Sequence, residues 1–220
     1  ILTMKITRFG SYKTVLSKVL CRRLSQSCWS TLKEAKGLLK NKALVISPTD
    51  KHAGKAISDM TGRLLFELQM MGVSPVKYTL KESFPNRKGS GEAVEIFKRT
   101  GAASIVALGD GAVCDMAKQV CAQLESDSTS YAHVPVMVIP ASFSPTAAAA
   151  SCGVLHDTED VLVVAPTRPP TIVALDPEIA AASTSFHAQL TPLALVANLY
   201  DLYFARAHLE LLQGAGTSST

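Results

Sequence analysis

From residue 43 to residue 175 the chain repeats one pattern: a short apolar run, a breaker, then a stretch with helical spacing. Ala43-Leu-Val-Ile46 is the first run, closed by Ser47-Pro-Thr-Asp50. Residues 53–72 then carry Ile57, Met60, Leu64, Leu65, Leu68 and Met71 at helical spacing and stop at Gly72. Val76 to Leu80, Ser104 to Leu108, Val134 to Ile139, Val161 to Val164 and Thr171 to Leu175 read as further strands. Helices are expected over 91–100 and from Gly109-Asp-Gly111 to about Leu124. Parallel strands need a crossover between them, usually a helix, so this alternation implies an α/β fold. The expected architecture is a doubly wound, mainly parallel, Rossmann-like sheet with helices on both faces.

After Asp176-Pro177 the texture changes to Ala- and Leu-rich, with helical segments near 178–183 and 189–212 and a Gly/Ser/Thr tail. The expected organisation is therefore a basic leader or arm over 1–40, an α/β domain over 41–186, and a helical extension with a flexible tail over 187–220. The last part reads as the truncated start of a helical domain.

Charge divides the chain in the same way. The net charge is +4, but residues 1–42 hold ten Lys/Arg against the single acid Glu34, which leaves residues 43–220 at −5. Basic, Ser-containing and acid-poor is the composition of an organelle transit peptide, here a mitochondrial one. Leu16, Leu20 and Leu24 recur every four residues, as on a helical apolar stripe. A basic surface helix, or an arm that exchanges counterions with RNA or anionic lipid, are the other readings of this segment. With 47% apolar and 18% charged residues, disorder is excluded. The uncharged stretch His133 to His156 is long enough to span a bilayer, but Pro135, Pro140 and Pro145 break it, so no transmembrane segment is expected. The five cysteines form no CxxC pair, which argues against a thiolate zinc site or a disulfide framework. Cys114 and Cys121, seven apart on one helix, read as buried thiols.

In α/β sheets, ligands bind beyond the carboxyl ends of the strands, so the turn after the 104–108 strand is the place to look. It reads Gly109-Asp-Gly-Ala-Val-Cys-Asp-Met-Ala-Lys118. Glycines let backbone approach a ligand, and the start of the following helix attracts phosphate. The third glycine of a GxGxxG fingerprint is Cys114 here, so the motif alone also fits an ordinary tight turn.

The wider pattern resembles the iron-containing (group III) alcohol dehydrogenase family, whose signature is a strand, Gly-Gly-Gly-Ser, two residues, Asp, two residues, Lys. Gly109, Gly111, Asp115 and Lys118 fit it, as do Pro85-Asn86, Val138-Ile-Pro140 and Ile172-Val-Ala-Leu-Asp-Pro177. The resemblance covers residues 41–205 in order, the cofactor-binding half of such enzymes. It implies an NAD(P) site on Gly109, Gly111, Asp115 and Lys118, with Ser142 on a second loop, and Asp50 as the one candidate for the ribose or, equally, a helix cap.

The departures fall where the chemistry belongs. Asp110 replaces the family's second glycine and Ala112 its serine. A carboxylate 4 Å from a phosphate is repelled by about 4 kcal/mol at an effective dielectric of 20. As a helix N-cap, however, Asp is a favourable residue. The loop that reads Pro-Thr-Thr and later Gly-Ser-Glu in the family is Pro140-Ala-Ser-Phe-Ser-Pro-Thr-Ala-Ala148 here. The family's metal-binding Asp-Ala-x-x-His aligns with Thr191 to Asn198, placing Ala194 at the Asp and Asn198 at the His; His187 and His208 have no ligand spacing. The expectation is thus a degenerate, non-catalytic member serving as a structural or partner-binding subunit of a mitochondrial assembly, with protein subunits as partners, no metal and no cofactor. The alternatives are an NAD(P)-dependent alcohol dehydrogenase represented by an incomplete chain, and a nucleotide- or phosphometabolite-binding module without redox chemistry.

Overall fold

The structure is a computed structural model that describes residues 18–21, 29–82, 85–127, 129–131, 133–141, 152–158, 161–176 and 179. Its elements are β1 (Lys18–Cys21), α1 (Ser30–Ala35), β2 (Lys42–Pro48), α2 (Asp50–Met70), β3 (Ser74–Leu80), α3 (Arg87–Thr100), β4 (Ser104–Gly109), α4 (Gly111–Asp127), a 3-10 turn at Thr129–Tyr131, β5 (Val136–Pro140), β6 (Cys152–Thr158), β7 (Val161–Pro166) and β8 (Ile172–Leu175). Six strands form one sheet in the order β1-β8-β5-β4-β2-β3, and each neighbouring pair is parallel. β6 and β7 form a separate antiparallel hairpin. The expected α/β, mainly parallel architecture is the one observed.

Strand alternation sorts the apolar residues to two faces. Leu44, Ile46, Ile105, Ala107, Val136 and Val138 pack with Phe97 of α3 and Val113, Met116 and Leu124 of α4. Ala43, Val45, Val106, Leu108, Met137 and Ile139 pack on the other face with Leu32 of α1 and Ile57, Leu64 and Leu68 of α2. Both faces of the sheet are covered, which is why its central strands read as unbroken apolar runs. α2 is interrupted at Gly54, whose φ of 72° and ψ of 168° leave the helical region, so the chain enters its main helical run only after that residue. Among the described residues no helix is long and apolar enough to cross a membrane.

The structure departs from the expected elements at two places. The Leu16-Leu20-Leu24 spacing predicts a helix, but residues 18–21 form β1, paired with β8 from Lys18↔Ile172 to Cys21↔Leu175. Within the segment expected as a leader or arm over 1–40, Trp29, Leu32, Ala35 and Leu39 are buried in the core beneath α1 and α2. Trp29 lies at the start of α1 with a left-handed φ of 73°, a conformation that core packing holds in place. Finally, residues Cys152–Thr158 form strand β6, which is not among the strands expected from the sequence. The helical segments expected at 178–183 and 189–212 lie outside the described residues, apart from Ile179, which is buried.

Candidate functional site

The chain runs from β2 outward to β3, then returns past β2 to β4, so the direction of strand addition reverses between β2 and β4. A crevice at the carboxyl ends of such a strand pair is the usual ligand position in this architecture. Ser47, Pro48 and Thr49 approach it from β2, and Gly109, Asp110 and Gly111 from β4. The hydroxyls of Ser47 and Thr49 are buried and have no hydrogen-bond partner.

Gly109 ends β4 opposite Pro140 of β5, and its carbonyl accepts from Ala141 N at 2.7 Å. A Cβ at this position would stand 2.6 Å from Val113 Cγ2, 2.8 Å from Val113 Cβ and 3.2 Å from Pro48 Cδ. The glycine is therefore required by the close approach of the first turn of α4 to the end of β2. Asp110 caps that turn. Its carbonyl accepts from Cys114 N at 3.1 Å, and its Oδ1 accepts from Val113 N at 3.3 Å. The N-cap role expected from the sequence is the geometry observed, and it puts a carboxylate at the positive end of the helix.

Asp115 and Lys118 lie further along α4 and face a different element. Lys118, 1% exposed, sets its Nζ 2.7 Å from Asp115 Oδ1 and donates to the Cys152 carbonyl at 2.6 Å. Asp115 Oδ2 accepts from Val154 N at 3.0 Å. Gly153 sits between these contacts, where a Cβ would come within 3.2 Å of Asp115 Oδ1. The buried ion pair thus satisfies backbone groups of β6 and holds the hairpin against α4. A second tie joins β6 to the start of α3: His156 N donates to the Pro85 carbonyl at 2.8 Å, and Asn86 forms a bridge with His156. Asn86 in turn caps α3 by accepting from Gly89 N at 2.6 Å.

So the ten-residue sequence from Gly109 to Lys118 separates into two groups. Gly109, Asp110 and Gly111 meet at the crevice, while Asp115 and Lys118 point to the hairpin. Ser142 and Asp50's side chain lie outside the described residues. Sequence reasoning missed the partner strand of Lys118; the signal was present in apolar runs on either side of Asp157-Thr-Glu-Asp160, a hairpin pattern. It also missed Arg168, which donates to Glu125 and to the Val134 carbonyl, and lies 3.2 Å from Cys121 Sγ, fastening the connection between β7 and β8 to α4.

The thiols of α4 are not poised for chemistry. Burial pushes Cys114 up to about 12, and burial, partly opposed by Arg168, pushes Cys121 up to about 12. Both are buried as expected. A separate cavity of about 90 Å³ at the end of β3, lined by Tyr78, Lys81, Glu82, Asn86, Lys88 and Glu92, is far smaller than the ~300–1,000 Å³ of ordinary ligand pockets. Within it Lys81 pairs with Glu92 at 3.1 Å, and the Asn86 amide donates to Glu82 at 2.5 Å. Among the described residues no three His, Cys, Asp or Glu gather in a metal-binding group.

The family model for iron-containing alcohol dehydrogenases matches residues 23–177. The chain belongs to the iron-containing alcohol dehydrogenase family. Its fold superimposes on an iron-containing alcohol dehydrogenase from Thermotoga maritima with a TM-score of 0.64 at 20% identity, over 80% of this chain and 51% of that one. A second iron-containing alcohol dehydrogenase gives 0.64 at 19% identity, over 81% and 51%. Maleylacetate reductase from Rhizobium sp. gives 0.58 at 18% identity, over 79% and 45%. At these identities the likeness is one of fold, and the chain spans about half the length of these structures. Among curated proteins no sequence match is found.

Membership in the family implies a dinucleotide and a metal, and at the crevice the residues present do not suit a dinucleotide's phosphates. At the crevice, the anion-binding end of α4 already carries the Asp110 carboxylate. The run Thr191 to Asn198, set in the sequence against the family's metal-binding Asp-Ala-x-x-His, lies outside the described residues.

Proposed function

We propose that this chain is a non-catalytic member of the iron-containing alcohol dehydrogenase family, retained as a structural or partner-binding subunit of a mitochondrial assembly. The observation that carries the reading is the Asp110 carboxylate, which accepts from Val113 N at the start of α4 and supplies the helix with its own anion. A diphosphate brought there would meet like charge and a helix end already capped. The engagement of Asp115 and Lys118 with β6 supports the same reading, because neither group is left facing the crevice. Two features favour partner binding. Phe66 and Met70 lie one turn apart on α2 and are 57% and 70% exposed. The +9 charge of residues 1–42 suits an acidic protein surface, RNA or anionic lipid.

The test is purification of the tagged protein from mitochondria under native conditions, followed by sizing and identification of what travels with it. Recovery in a stoichiometric high-mass complex, with no alcohol-dependent NAD(P)⁺ reduction by the purified protein, is the expected result. Recovery outside mitochondria, or as a free protein that reduces NAD(P)⁺ with an alcohol, favours the dehydrogenase reading instead.

A further inference from the structure

We propose that Asp110 is the specificity determinant of the β2–β4 crevice: its single negative charge keeps phosphate-bearing nucleotides out, and neutralising it lets them in. The inference rests on the reading of the crevice above and deepens it by assigning the exclusion to one group.

Three observations carry it. The turn that brings backbone close to a ligand is intact, since Gly109 packs against Val113 and Pro48 with no room for a Cβ, and the β4–β5 register is kept at Gly109↔Pro140. The Asp110 carboxylate is the one group of opposite character placed on that turn, held by Val113 N through Oδ1. No side-chain cation is paired with it among the described residues, and the only cation of α4, Lys118, is bound to Asp115 and the Cys152 carbonyl. An uncharged cap would leave the N–H groups and dipole of α4 to attract anions.

Asp110→Asn separates charge from bulk. Asn caps helices about as well as Asp, so the variant keeps the turn and loses only the charge. Asp110→Gly removes both. The full chain and both variants are titrated with NADH, followed by nicotinamide fluorescence, and with inorganic pyrophosphate, followed by calorimetry; urea midpoints confirm folding.

The expected result is no saturable binding by the unsubstituted chain and a gain of about tenfold or more in affinity for both probes in Asp110→Asn, a change of about 1.4 kcal/mol or more. Asp110→Gly binds at least as tightly. A gain in Asp110→Gly with none in Asp110→Asn overturns the proposal, because bulk would then be the cause. Absence of binding in both variants overturns it too, while leaving the non-catalytic reading in place. Tight NADH binding by the unsubstituted chain overturns both.

Discussion

At the scale of single residues, the turn at the end of β4 is held by contact distances that leave little freedom. Gly109→Ala forces a methyl to 2.6 Å from Val113 Cγ2 and 3.2 Å from Pro48 Cδ, so either the helix start or the β2 end must move. The expected cost is about 1–3 kcal/mol, the range for overpacking. Gly91, inside α3, meets nothing within 4 Å, and Gly91→Ala is expected to raise stability by about 0.5–1 kcal/mol. Urea midpoints of the two variants moving in opposite directions would confirm the contrast; equal shifts would refute it. The buried thiols make a second residue-scale prediction. In the unfolded chain a cysteine loses its proton near pH 8.5, whereas Cys114 and Cys121 hold theirs to about 12 when folded. The folded state then binds more protons between these values. The stabilisation is fully present below about pH 8.5 and is lost as pH rises toward 12. Urea midpoints should fall between pH 8 and pH 10, and Cys114→Ser with Cys121→Ser should flatten that slope. At pH 8 a maleimide should label the exposed Cys152 ahead of both, as read by peptide mapping.

At the scale of elements, the β6–β7 hairpin depends on α4 more than on the main sheet, which it does not join. Lys118→Met leaves the Asp115 carboxylate buried without its cation, and the expected loss is about 3–5 kcal/mol. Lys81→Met breaks an ion pair of comparable length, 3.1 Å, but at 72% and 38% side-chain exposure it should cost at most about 1 kcal/mol. Hydrogen exchange locates the damage: Val154 N–H, which donates to Asp115, should lose protection in Lys118→Met while the Val106 and Val138 amides of the central strands keep theirs. The same elements show what the sequence could and could not convey. β2, β4 and β5 are legible because burial on both faces demands continuous apolar runs, and the Asp110 cap is legible because capping is local. β1 is not, since Leu20, spaced from Leu16 and Leu24 as on a helical stripe, joins a strand only by pairing with β8, some 150 residues away in the chain. Lys118 is illegible for the same reason. Its partner carbonyl at Cys152 is 34 residues distant, and the motif that contains the lysine suggests a phosphate partner until the hairpin is placed.

At the scale of the whole molecule, the parallel sheet is completed by the two ends of the described chain, because β1 lies outside β8 at one edge. The opposite edge strand, β3, carries Pro75 and the exposed Lys77, residues that discourage pairing with another chain. β8 has no such guard along Ile172-Val-Ala174, each at most 1% exposed, and relies on β1 to cover its edge. This sets a limit on the basic N-terminal segment. If that segment acts as a cleaved mitochondrial address, a cut compatible with this sheet falls before Lys18, although the charge pattern alone would place the end of the leader as far on as residue 40. Deleting residues 1–16 keeps β1 and its pairing with β8 and sets the reference thermal midpoint. Deleting residues 1–21 should lower it and produce concentration-dependent association, as an uncovered apolar edge recruits a second chain. Light scattering beside a thermal melt separates the two truncations, and N-terminal sequencing of protein isolated from mitochondria gives the natural start. A mature chain beginning after Cys21 that is nonetheless monomeric and stable would show that β8 finds its cover elsewhere, and the role of β1 in closing the sheet would fall.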